Sequence, residues 1–356
     1  MGLRPWMTRA RAPFLLATFL CAAAPLLADE PLFDLKPIAE GVYAAIARPK
    51  FILNCNALVV VLDDGVLVVD THSKPSAAKG LIDQIKTVTD KPVRYVVNTH
   101  FHWDHNQGNA AYLSAWPGGV EVISSEATAE SVEQRGIPRI EHEIATRPKE
   151  IERLRTEASA AKDPVARLKL EGQLKETEAY VAELKNMQMK LPTMTFDHNL
   201  VLRRGPRTVL MLVLGKAHTD GDVFVFLPKE KVLASGDALQ GWMPYMADGH
   251  PYDWIRTLED AQKLDFDMTV GGHGDVLRGK GQFELWKSYL RDLMAETAKA
   301  YAGGASLDEA RTRVADALAT RYESRFSAAG LPAESFRPSL TGNIEKAYRV
   351  VSGQQD

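Results

Sequence analysis

Two cysteines in 356 residues are too few for a disulfide framework. Neither sign of charge dominates: the formal net charge is −3 and the isoelectric point is near 6.3, which gives no electrostatic case for gripping a polyphosphate backbone. Internal repeats and low-complexity tracts are missing. With 45% hydrophobic and 25% charged residues, the composition is that of a folded soluble protein, which excludes collagen-like and wholly disordered classes. The length fits one large domain with insertions, or two domains.

The charge is uneven. The first 28 residues carry Arg4, Arg9 and Arg11 and no acid, leaving the remainder three charges lower, at −6. An apolar, Ala-rich run follows over residues 12–24, shorter than the roughly 20 residues a membrane span needs. A basic start, a short apolar run and a small residue before a polar stretch read as a secretory signal, cut after Ala28. The expected location is therefore periplasmic or secreted, in a bacterium, with no membrane integration after cleavage. Cys21 leaves with the signal, and Cys55, at the start of a strand, reads as a buried structural thiol.

Strand-like runs cover residues 41–47, 56–62 and 66–70, a helix 75–88, and a buried strand 93–98. A second set covers 200–203, 208–214, 223–227 and 232–235, followed by a helix over 252–264 and a strand over 267–271. Two strand-rich halves carrying helices predict an α+β protein of packed sheets with helices outside. Between them, residues 126–191 differ in kind. From Lys149 to Lys190 there are nine basic and eight acidic residues, and Tyr180 is the sole aromatic. Leu170, Leu174, Val181 and Leu184 keep one face apolar, and Lys162-Asp163-Pro164 breaks the run. Two antiparallel helices forming an inserted hairpin are expected, either a solvated arm or a surface for self-association. Residues 286–356 read as helical, with Ser306-Leu-Asp-Glu309 as a capping box.

The chemistry is concentrated after the strand VRYVVN, in Thr99-His100-Phe101-His102-Trp103-Asp104-His105. In extended chain, residues two apart point the same way, so His100 and His102 can meet one metal, while a turn presents Asp104 and His105 to a neighbouring position. Imidazoles with a carboxylate suit zinc and also accept iron or manganese. His218 in GKAHTDGD, Asp237 in SGD and His273 in GGHGD each follow a strand. Five of the nine histidines fall at such positions.

These stretches resemble the metallo-β-lactamase fold superfamily over residues 35–125 and 195–285. The resemblance implies a four-layer αβ/βα sandwich over residues 29–285, interrupted by the insertion, with two zinc ions at the edge between the sheets. Carried over by residue, His100, His102 and His218 hold one metal, Asp104, His105 and His273 the other, and Asp237 bridges them. Asp70 resembles the family's orienting acid behind the ligands. Two divalent cations, two carboxylates and a hydroxide leave about +1 to polarise a carbonyl. The implied reaction is attack by metal-bound hydroxide on an ester, lactone, amide, β-lactam or thioester, with Asp104 also orienting or deprotonating the nucleophile.

Departures from the pattern narrow the substrate. Asp237 stands where lactamases of one subclass have a Cys ligand, Gln240 where they grip a carboxylate with Lys, and His105 where they have Arg; this shell is more similar to that of glyoxalase II and lactonases. A weak or ancestral-like β-lactamase is one alternative; a non-catalytic metal scaffold docking a partner through the hairpin is another. The basic glutathione-binding stretch of glyoxalase II is absent, and an exported acidic chain argues against nucleic acid. A small-molecule substrate is expected, with Trp103, Gln240, Trp242 and Tyr245 near its pocket. Trp103 and the 242–246 loop equally fit core packing. His72 is a further candidate behind the ligands and Lys50 and Lys216 are candidate anion contacts, whereas His142, His198 and His250 read as plain surface or strand residues.

Overall fold

The computed structural model describes residues 31–354 together with Gly2. The expected signal and Cys21 fall, Gly2 apart, outside the described residues. Seven strands form one sheet in chain order: β1 (Phe33–Ala39), β2 (Val42–Ala47), β3 (Ala57–Val61), β4 (Val66–Val69), β5 (Val93–Val97), β6 (Glu121–Ser125) and β7 (Met194–Phe196). Six form the other: β8 (Asn199–Arg204), β9 (Arg207–Leu212), β10 (Phe224–Leu227), β11 (Val232–Gly236), β12 (Met268–Gly271) and β13 (Leu277–Arg278), in the order β13-β12-β11-β10-β9-β8.

Alternation along the strands explains the layers. In β3, Leu58 and Val60 face the second sheet, while Ala57 and Val59 face helices α1 (Pro75–Ile85) and α3 (Asn109–Ala115). In β10, Val225 and Leu227 point into the space between the sheets. Phe224 and Phe226 point out, toward helices α7 (Pro251–Ala261), α8 (Gly281–Ala302), α9 (Leu307–Ala328) and α10 (Ala333–Val351). Strands buried on both faces read as unbroken apolar runs, as VVV and FVFL do here. The four-layer sandwich is thus built as the resemblance implied.

The differences are local. β1, β6, β7 and β13 go unmarked in the sequence, because Pro37 interrupts one and the others are short or partly polar. Asp104 and His105 lie on a helical turn, α2 (Trp103–Asn106), rather than on a plain turn.

Helix α4 (Glu126–Ser131) and a π-helical turn (Val132–Gly136) lead into α5 (Ile137–Ala160), which packs along α6 (Pro164–Asn186) as the inserted hairpin. Asp163 caps α6 through its carboxylate. The hairpin's base is fixed where Ile140, Tyr180 and Leu184 enclose Ile52, beside Trp103. Its tip exposes Val165 and Leu168. The Ser306–Glu309 capping box forms as expected. No helix among the described residues is long and apolar enough to cross a membrane.

Candidate metal centre

Parallel pairing of β4 with β5 and of β11 with β12 brings their C-terminal ends to one edge. Asp70 follows β4, the His100–His105 stretch follows β5, Asp237 follows β11, and His273 lies just past β12. His218, beyond β9, completes the set. All seven expected ligands are buried.

They fall into overlapping groups whose ligand atoms lie within 4.8 Å of one another: His100, His102 and His218; Asp104, His105 and His273; and His100, His105 and Asp237. His218 Nε2 is 2.8 Å from His102 Nδ1. His273 Nε2 is 3.2 Å from Asp104 Oδ2. Asp237 stands between the groups, with Oδ1 3.4 Å from His105 Nε2 and Oδ2 3.7 Å from His218 Nε2. A Cβ on Gly272 would sit 1.9 Å from Asp237 Oδ1, so only glycine lets the backbone just past β12 approach this closely.

Four imidazoles turn their outer nitrogen to a partner. His105 Nδ1 donates to Asp70 Oδ2 at 2.8 Å, His102 Nε2 to Asp248 Oδ2 at 2.9 Å, His218 Nδ1 to the Tyr245 carbonyl at 2.9 Å, and His100 Nδ1 to Thr99 Oγ1 at 3.0 Å. With the proton outside, the inner nitrogen keeps a lone pair for a cation. His100 Nε2, His105 Nε2 and Asp237 Oδ1 are indeed buried without a hydrogen-bond partner. Orphaned acceptors of this kind are costly unless something positive faces them, so the donor set fits metal ions.

Burial, with neighbouring imidazoles, pushes His218 down to about 3 and His100 well below the usual histidine range, so both are neutral. Burial opposes the charge on Asp237, yet His273 and His105 outweigh it and hold the carboxyl well below its usual range. Asp70 accepts from the Thr99 amide and hydroxyl, both at 2.8 Å, and its φ of 65° is a strained conformation held by this network.

A cavity of about 690 Å³ opens over the cluster, floored by His102, Asp104, Asp237 and His273. Gln240, Trp242 and Tyr245 line it, and Trp242 stacks on His273 with centroids 4.9 Å apart. Trp103 lines the cavity and rests 5.8 Å from the Tyr180 ring. The 242–246 loop does the same, since Met243 and Met246 are packed in the core with Trp254 and Leu258.

Other candidates lie elsewhere. His72 bonds the Cys55 carbonyl at 3.0 Å and not a ligand, and Lys216 is paired with Asp220 at 2.6 Å. Neither Lys50 nor Lys216 lines the cavity. His142 and His198 are exposed, and His250 faces Asp220 at 3.0 Å. Cys55 is buried, as expected. Asp248, itself 3.1 Å from Arg135, escaped the sequence reading because no motif surrounds it.

A family model for the metallo-beta-lactamase superfamily matches residues 52–273. The chain is 23% identical over 249 residues to the linear primary-alkylsulfatase of Pseudomonas sp. (strain ATCC 19151), a match covering 65% of this chain and 44% of that protein. To the type 2 metallo-beta-lactamase of Bacillus cereus it is 23% identical over 227 residues, covering 62% and 67%. The chain thus spans less than half the alkylsulfatase's length. Among solved structures, a metallo-beta-lactamase from Pontibacter korlensis superposes with a TM-score of 0.54 at 19% identity, covering 73% of this chain and 99% of that one. The mono-zinc form of FIM-1 from Pseudomonas aeruginosa gives 0.52 at 17%, covering 73% and 95%. At these identities the structures speak for the fold alone.

Proposed function

Because the chain belongs to the metallo-beta-lactamase superfamily, we propose that it is an exported binuclear zinc hydrolase cleaving a carbonyl-centred bond of a small molecule. The observation that carries this reading is the convergence of seven buried side chains, three of whose inward atoms, His100 Nε2, His105 Nε2 and Asp237 Oδ1, lack hydrogen-bond partners. His100, His102 and His218 would hold one ion, Asp104, His105 and His273 the other, with Asp237 shared. Zinc ions held there, or iron or manganese on the same donors, supply Lewis acidity and lower the pKa of water toward 7.

The remaining work falls to the chain itself. Asp104, on the cavity floor, orients the attacking water and takes its proton on the carboxylate. Trp242 and Tyr245 hold the substrate body and exclude water, and Asp70 and Asp248 keep His105 and His102 in their tautomers. Replacing Asp248 with Asn is expected to weaken metal binding about 10- to 100-fold, the usual cost of losing an outer-shell partner. Chelator competition measures it, and unchanged affinity would remove Asp248 from this role.

The function is tested by assaying zinc-loaded protein against aryl esters, lactones, thioesters and nitrocefin. Turnover of at least one carbonyl class is expected, with nitrocefin slow because Gln240 replaces a cation. The alkylsulfatase match supports a second reading, a sulfate ester, so dodecyl sulfate joins the panel. Silence across the panel with both ions bound would overturn the hydrolase reading in favour of a scaffold docking a partner through α5 and α6. Export is supported by Arg4, Arg9 and Arg11 ahead of the apolar run. An exported chain starting near Asp29 is the expected finding, and an intact cytoplasmic chain the contrary one.

A further inference from the structure

The cavity over the cluster has walls that the sandwich does not supply. Helix α10 contributes Ser335, Ser339 and Gly342, spaced to share one face. Its opposite face, with Phe336, Leu340, Ile344 and Ala347, is sunk in the core, so this wall is rigid. Asn343 ties the helix to the loop across the cavity, donating to the Pro244 carbonyl at 2.9 Å. Small residues on that wall leave width: a Cβ added at Gly342 would meet nothing within 4 Å. Leu53, Met243 and Leu331 add apolar lining. About 690 Å³ is room for a drug-sized molecule.

The cavity's charges are asymmetric. Asp104 and Asp237 face the metal positions, and Glu345 is held by Arg311 at 2.8 Å. Two arginines also line the cavity, Arg349 of α10, which is already engaged, and Arg139 of α5 in the inserted hairpin. Its one ion pair among the described residues is a 4.0 Å contact with Glu143, which is itself bound more tightly by Arg147 at 2.6 Å. Its guanidinium, about half exposed, therefore has donors left for a planar anion.

We propose that the substrate is an amphiphilic anion: its apolar body lies between the 242–247 loop and α10, its acidic group rests on Arg139, and its scissile bond reaches the floor. The inference rests on the hydrolase reading only for that last placement. Its recognition chemistry is a carboxylate or sulfate at the end of an alkyl or ring body.

The test uses the full zinc-loaded chain and matched p-nitrophenyl esters: hexanoate, octanoate and decanoate against the hemiesters of adipic, suberic and sebacic acids. The expected result is kcat/KM rising with length and the hemiester favoured about tenfold or more, as a charge-assisted hydrogen bond allows. Arg139→Gln should collapse the hemiester-to-ester ratio about tenfold, and Arg139→Lys should restore part of it, since lysine keeps the charge but loses the fork. Gly342→Leu, which suits a helix better than glycine, should move the preferred length to shorter chains. Calorimetric binding of decanoate, decyl sulfate and decanol to the same proteins reads recognition without turnover and separates the two anions. Binding of either anion over decanol, lost in Arg139→Gln, sustains the inference even if no ester is cleaved, in which case the hydrolase reading alone falls. Hydrolysis or binding with no preference for the anion, and no change of ratio in Arg139→Gln, overturns the inference and leaves the hydrolase reading standing.

Discussion

Replacing Asp237 with alanine is expected to lower bound metal below two ions per chain and kcat/KM by about a thousandfold. Among the described residues, Asp237 is the one carboxylate within 3.7 Å of imidazoles from both ligand groups, and its Oδ1 is buried with no hydrogen-bond partner. Its loss therefore loosens both proposed ions together, whereas losing a histidine loosens one. Metal stabilisation of developing charge is worth several kcal/mol, and each 1.36 kcal/mol is a tenfold change in rate. Asp237→Asn keeps the shape without the charge and separates ligand loss from misfolding. Metal content by elemental analysis, beside kcat/KM and circular dichroism, gives the answer. Two ions per chain in a folded Asp237→Ala protein would remove Asp237 from the bridging position.

The parts of this site that were legible in the sequence were those written locally. His100, His102, Asp104 and His105 lie within six residues, and strand-end glycines flag the approach of His273. The path between them was read less well: His105 reaches its place from a helical turn. What stayed hidden are contacts between residues far apart in the chain and set in no motif. Asp248 meets His102 across 146 positions, and Asn343 meets Pro244 across 99. The same holds for α10. Residues 286–356 read as helical, but a stripe of Ser335, Ser339 and Gly342 reads as indifferent until the cavity beside it is seen. Arg139 was hidden for another reason: in a segment so rich in charge, one arginine aimed at a cavity looks like any solvated neighbour. In the fold, alternation failed only where strands were short or broken by Pro37, and there the ladder with β2 overrides weak local preference.

Stripping the metals by chelation is expected to abolish activity and also to lower the melting temperature, on the order of 10 °C. The ligands run from His100 to His273 and come together only in the folded chain, so cations bound by the native state stabilise it by mass action. At a free metal concentration 1,000 times Kd, one site contributes about 4 kcal/mol. A shift of 1 kcal/mol moves the midpoint by roughly 2–4 °C in chains of 150–250 residues, and by less in longer ones. Two features temper the sum. The His100–His105 stretch retains some affinity when unfolded, which subtracts from the linkage. Conversely, without cations the inward lone pair of His100 stays buried and unmatched, a cost the folded state then bears. Melting followed by circular dichroism, before chelation, after it and after zinc is restored, measures the effect. The Asp237→Ala protein, already short of metal, should show a smaller shift. A melting temperature unmoved by complete metal removal would mean that the cluster is held by its surroundings alone, and that the cations contribute to chemistry but not to folding.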